Sequence, residues 1–175
     1  MNYKESFLER INREMSVFNY EQSLRFPRED TLTIDLHCHD KNSSEPDEIM
    51  GRMLNIPETW LPSEELIATL KNHNCDTFTV TNHNNARSCY ELQDKGYDIL
   101  TGAEFSCTVP DYNAKIHVLA YGFNPAQEEK LYKARHDIYR FQRYALENNI
   151  PTIWAHPLYH YEEKEALSLE FFDKM

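Results

Sequence analysis

An α/β fold built on a mostly parallel sheet, open or closed into a barrel, is what this sequence predicts. Two observations predict it: short runs rich in β-branched residues alternate with runs of helical periodicity, and histidines gather where those short runs end. A third sets the scale. With 175 residues, 41% of them hydrophobic, the chain has material for one domain core and not for two. Four glycines and eight prolines are too few for a fibrous or disordered chain.

The elements follow in order. Residues 3–19 carry Phe7, Ile11, Met15 and Phe18 at three- and four-residue spacing, one apolar stripe on a helix, with Ser6 and Glu9 placed for a capping box. Pro27 closes this segment, so residues 1–30 form an N-terminal helical extension and residues 31–175 the domain. Residues 31–36 form the first strand, followed by a polar loop over 40–62. A helix opens at Pro62: Ser63 can cap it, Glu64 and Glu65 suit the positive end of its dipole, and Leu66, Ile67 and Leu70 form its buried side. Residues 76–81 are the second strand, and a short helix over 86–95 stops at Gly96. Residues 99–105 and 115–121 are the third and fourth strands, joined by so short a link that the pair is antiparallel or the unit irregular. From Pro125 a long helix sets Leu131, Ala134, Ile138, Phe141 and Ala145 on one face, and residues 150–155 form the fifth strand.

Charge narrows the partners. Eighteen basic against 29 acidic residues leave a formal charge of −11, which repels a phosphate backbone and makes extended nucleic acid a poor partner. A small anionic substrate stays open, because bound divalent cations would invert the local sign. Cys38, Cys75, Cys89 and Cys107 form no C-x-x-C pair and read as buried free thiols of a reducing compartment. The first residues hold no apolar leader, and no run is long enough to span a membrane, so the expected location is cytoplasmic.

His37 and His39 follow the first strand, His83 the second and His156 the fifth; His117 lies within the fourth, and Glu104 ends the third. In α/β folds the C-terminal ends of strands are where catalytic groups collect. In an extended segment residues i and i+2 point the same way, so His37 and His39 can share one ion while Cys38 faces away; an ordinary polar turn is the alternative. Glu104 and His117 fall on neighbouring inward faces, where a carboxylate can bridge two ions or simply pair with a buried base. His83, flanked by Asn82 and Asn84, suits a ligand or a turn. Pro157 restricts His156 to extended backbone, which suits a fixed ligand, though loop structure alone would explain the proline. Arg87 is a candidate for holding a substrate's anionic group, or a surface helix residue. Asp35 is expected to orient a ligand histidine. His73 and His136 read as structural or surface residues, and His160 as a residue near the mouth of the cleft.

Together, Asp35-Leu36-His37-Cys38-His39, Thr81-Asn82-His83, Gly102-Ala103-Glu104, His117-Val118-Leu119-Ala120-Tyr121-Gly122 and Ala155-His156-Pro157 resemble the motifs of the PHP (polymerase and histidinol phosphatase) superfamily, in its order, over about residues 31–160. The resemblance implies a distorted (β/α) barrel with two or three metal ions at its strand ends, of which about five strands fall within these 175 residues, so the barrel is expected to be incomplete. It implies that His37, His39 and Glu104 bind one ion, that Glu104, His117 and His156 bind a second, and that His83 binds a third with an acid of the loop after His39. Glu45 stands nearest that position, with Asp47 and Asp40 as alternatives. Two departures matter. Asn82 stands where the family has Asp, removing a charge beside the third ion, and the late Asp-x-His motif is absent, which would leave the site weak or inactive.

The implied activity is hydrolysis of a small phosphate ester by water activated on Zn, Mn or Fe, with Glu104, His83 and Arg87 carrying the chemistry. The alternative is a non-catalytic, metal-stabilised scaffold or regulatory module of a larger protein. Amide or lactone hydrolysis on a carbamylated lysine is disfavoured, since no strand ends in a lysine placed for it.

Overall fold

A computed structural model of the chain describes residues 12–14, 16–18, 20–21, 28–43, 53–54, 56, 58–112, 114–157 and 171. The chain divides into two compact units, Met1–Thr33 and Ile34–Met175. In the first, residues 12–14, 16–18 and 20–21 are helical, and a 3-10 turn spans Arg28–Asp30. Phe18 is 54% exposed. Phe7, Ile11 and Met15, with the expected capping pair Ser6 and Glu9, lie outside the described residues.

The second unit is mixed α/β, with five described strands in two small sheets. Strand β1 (Ile34–Asp35) pairs in parallel with β2 (Thr77–Phe78). The pairing runs on past both: the Thr79 N–H donates to the Asp35 carbonyl and the Thr81 N–H to the Cys38 carbonyl, so the two chain segments stay side by side as far as the histidines. Helix α1 (Ser63–Asn72) lies between them in sequence and buries Leu66, Ile67 and Leu70, one side of the helix. Ser63 does not cap it. Pro62 holds the N-cap position, and the Ser63 hydroxyl donates instead to Asp40.

Helix α2 (Arg87–Asp94) buries Ser88, Cys89 and Leu92 and ends before Gly96, whose φ of +85° is the left-handed conformation glycine adopts at little cost. Parallel bridges Thr79↔Leu100 and His83↔Glu104 then tie the run after β2 to the next strand. At Gly102 the approach is close: a Cβ there would stand 2.3 Å from Thr79 Oγ1.

Strand β3 (Gly102–Val109) pairs antiparallel with β4 (Ala114–Tyr121), and β4 antiparallel with β5 (Thr152–Trp154). The antiparallel β3–β4 pair is one of the two readings that the short link left open, whereas the antiparallel β5 departs from the mostly parallel sheet expected from the sequence. A parallel pair needs a crossover of a dozen or more residues, whereas only residues 110–113 separate Val109 from Ala114. A closed barrel is not seen among the described residues.

The single long helix expected after Pro125 is two, α3 (Pro125–Ala134) and α4 (Ile138–Glu147). Asp137, at φ −151°, breaks it and accepts from the Tyr139 and Arg140 N–H groups as an N-cap. Asn124 and Gln127 form a capping box on α3. The apolar stripe continues through the break because both helices face the same core: Leu131, Ile138, Phe141 and Ala145 pack with Phe105, Ile116 and Val118. Each such side chain, once fully buried, contributes about 1.5–3 kcal/mol.

Alternation along β3 and β4 sorts their faces. Ala103, Phe105, Cys107 and Val109, with Ala114, Ile116, Val118 and Ala120, supply the core. Glu104 and His117 belong to the other face, and both are buried there.

Candidate metal centre

Glu104 is the centre of the site, 1% exposed. Its register partner on β4 is Leu119, and His117 sits diagonally, opposite Ser106, which leaves Glu104 and His117 on one face. Oε1 of Glu104 lies 3.0 Å from His117 Nδ1 and 3.1 Å from His156 Nε2, and those two nitrogens are 3.3 Å apart. Oε2 lies 3.1 Å from His37 Nε2 and 3.0 Å from His39 Nε2, themselves 3.2 Å apart. Each carboxylate oxygen therefore closes a triangle with two imidazole nitrogens. Three donors about 3 Å apart leave a point about 2.0–2.1 Å from each, the length of a zinc–imidazole bond. The donor set fits a divalent cation.

A third grouping joins His39, Glu58 and His83, and a fourth side of the cluster runs from His83 through Glu104 to His117. His83 is buried, with Nε2 3.5 Å from Glu58 Oε2 and Nδ1 3.7 Å from Glu104 Oε2. Its backbone N–H donates to Ser43 Oγ, and Asn84, at φ 58°, turns the chain just beyond it. Glu58 also approaches His39 Nδ1 at 3.4 Å and accepts from Ser43 Oγ at 2.7 Å.

The electrostatics follow from packing. Burial pushes the Glu104 pKa up, and the hydrogen bonds from His117, His37 and His39 outweigh it, holding the carboxyl well below the usual range. Burial also opposes ionisation of Glu58, but His83 and Ser43 hydrogen bonds bring its pKa down to about 2. On the far side of the H-x-H segment the Cys38 thiol donates to the Thr79 carbonyl, and burial, then Asp35, push its pKa up to about 12. Cys38 faces away from the histidines, as the period of a strand requires.

His37, His39, His83, Glu104, His117 and His156 are thus brought together. Glu45 and His160 lie outside the described residues. Arg87 stands apart from these contacts, its side chain 71% exposed at the start of α2 with Nε 2.6 Å from Glu91. His73 and His136 are exposed. Asp35 accepts from the backbone N–H of His37, so it positions the chain at that ligand candidate rather than its ring. His156 corrects a further expectation: its φ is +33°, not extended. Such a conformation costs of order 1–3 kcal/mol, and at this residue it accompanies the turn of the ring toward Glu104.

Glu58 is the residue that sequence reasoning missed. The only available signal was that it is an acid of the loop after His39; nearness in sequence favoured Glu45. The Lys41 N–H donates to the Leu61 carbonyl, and Glu58 lies beside His39. Asp40, an alternative for the same role, is buried elsewhere, in hydrogen bonds to Asn42, Ser63, Asn82 and Ser88. The charge expected to be missing at Asn82 stands 2.8 Å from its amide, on Asp40.

No known protein family and no curated protein matches the chain. Among solved structures, an amidohydrolase from Chromobacterium violaceum with bound sulfate and no metal is similar at TM-score 0.40 and 20% identity, over 67% of this chain and 39% of that one. A structure from Bifidobacterium adolescentis described as a metal-dependent phosphoesterase is similar at TM-score 0.39 and 13% identity, over 59% of this chain and 32% of that one. The chain thus spans well under half the length of either.

Proposed function

We propose that this chain is a metal-dependent phosphoesterase of the PHP kind, hydrolysing a small phosphate ester at a site of two or three divalent cations. The observation that carries the reading is the pair of triangles on Glu104, one oxygen with His37 and His39, the other with His117 and His156. A carboxylate serving two donor sets in this way suits a bridge between two cations, here Zn, Mn or Fe. Glu58 and His83, with His39, would hold a third. Bound cations supply a water acidic enough to ionise near neutral pH and positive charge for the phosphoryl oxygens.

The chain's own residues set the conditions for that chemistry. Glu104, whose hydrogen bonds from the histidines favour the ionised form, offers two carboxylate oxygens. As neutral ligands the imidazoles would leave a loaded cluster with net positive charge, which would attract a phosphate to a protein of charge −11. Burial of Glu104, His83 and His117 lowers the local dielectric and strengthens each of these interactions. In this reading the two sheets, joined by parallel bridges at Thr79↔Leu100 and His83↔Glu104, are part of a distorted (β/α) barrel. Arg87 enters as a substrate contact only if it leaves Glu91.

Metal analysis of the purified chain, followed by assay of p-nitrophenyl phosphate and nucleoside monophosphates with Zn, Mn or Fe, tests the proposal. Two or more ions per chain and metal-dependent release of phosphate are expected. Bound metal without turnover of any ester assigns the chain instead to a metal-stabilised module. A wild-type chain that retains no metal defeats both readings.

A further inference from the structure

Asp40 and Asn82 immediately follow and precede two of the clustered histidines, His39 and His83. Their side chains meet in the interior: the Asn82 amide donates to Asp40 Oδ1 at 2.8 Å, and the Asp40 backbone N–H donates to Asn82 Oδ1 at 3.0 Å. The carboxylate is fully buried yet fully used. Oδ1 accepts from the Asn42 N–H, the Asn82 amide and the Ser88 hydroxyl, and Oδ2 from the Ser63 hydroxyl. Ser88 in turn accepts from the amides of Asn42 and Asn82.

Two of those donors stand at helix N-termini, Ser63 as the first residue of α1 and Ser88 in the first turn of α2. The positive ends of both helices favour an anion there. One charge is therefore stabilised by neutral donors from four elements, the extensions of β1 and β2 and the two helices. A second carboxylate at position 82 would set an oxygen where the amide nitrogen now stands, 2.8 Å from Asp40 Oδ1.

We infer that Asp40 and Asn82 form a single positioning device, an acid–amide pair whose one shared charge sets the spacing of His39 and His83. The rings of those histidines stand 4.9 Å apart, with Glu58 reaching both. Neither residue is among the clustered donors; the pair acts through the backbone of its neighbours. This assignment rests on the metal-site reading but makes a separate demand. The charge can sit on either side of the pair, but not on both and not on neither.

Reciprocal substitution tests it. Asp40→Asn removes the charge, Asn82→Asp doubles it, and the double variant transposes it. Cobalt titration, read by the visible absorption of bound cobalt, measures affinity and ligand geometry at the cluster, and circular dichroism monitors the fold. Each single variant is expected to weaken binding by about 10–100-fold, as loss of an outer support typically does, and to shift the cobalt spectrum; the double variant should recover most of both. Ser63→Ala, which keeps the charge and removes one donor, is the milder variant should Asp40→Asn fail to fold, with a several-fold loss expected. Wild-type binding and spectra in Asn82→Asp and Ser63→Ala, or a double variant no better than the product of the singles, would overturn the pairing.

Were the wild-type chain to bind no cobalt, the metal reading would fall and the pairing would be judged on the imidazole NMR signals of His39 and His83. Displaced in both singles and restored in the double variant, they sustain it; unmoved in the singles, they refute it.

Discussion

Glu104 and His117 hold diagonal positions on adjacent antiparallel strands, and Oε1 of one lies 3.0 Å from Nδ1 of the other. That contact lies on the buried face of β3 and β4 that also sets the carboxylate where His37, His39 and His156 reach it.

Glu104→Gln should remove the bridge while keeping the shape. Metal content measured by mass spectrometry is expected to fall by at least one ion per chain, and hydrolysis of p-nitrophenyl phosphate by more than the about 10–100-fold that outer supports cost. Unchanged metal content would show that Glu104 pairs with the histidines as a buried ion pair only.

Gly102→Ala should destabilise the domain, since the added Cβ meets Thr79 Oγ1 at 2.3 Å. The cost expected of such overpacking is about 1–3 kcal/mol, read as a lower midpoint in urea denaturation. Thr79→Ala in the same chain should return part of it. A midpoint unmoved by Gly102→Ala would refute the close approach of β3 to the run after β2.

Acid should release Glu58 late. Its folded pKa of about 2 lies below its ordinary 4.5, so its contribution to stability is fully present above the ordinary value and is lost as pH falls through about 2. Wild-type stability should therefore fall more steeply between pH 4.5 and 2 than that of Glu58→Gln, in thermal melts of the metal-free chain. Parallel pH profiles would remove Glu58 from its contacts with His83 and Ser43.

Asp137→Ala should separate the two helices from one another energetically. Loss of the N-cap on α4 costs about 0.5–2 kcal/mol, and hydrogen exchange should quicken at Tyr139 and Arg140, whose N–H groups it accepts. Equal exchange in both proteins would deny the cap.

Much of this molecule was legible as text because the signals were local. The spacing of Leu66, Ile67 and Leu70 marked the buried side of α1, and the period of two marked His37 and His39 as neighbours with Cys38 turned away. The same period put Glu104 and His117 on inward faces before any pairing was known. The break at Asp137 was hidden by that very logic: the apolar stripe from Leu131 to Ala145 runs straight across it, since both helices cover one core.

The sequence by itself determined which side chains are donors and which faces are apolar, because residue type and periodicity act over a few residues. Tertiary structure alone decided that β5 runs antiparallel to β4, that His156 takes a left-handed turn, that Glu58 reaches His39, and that Asp40 lies beside Asn82. Those outcomes depend on completing buried hydrogen bonds between segments far apart in the chain, and no local rule encodes which distant partner will complete them.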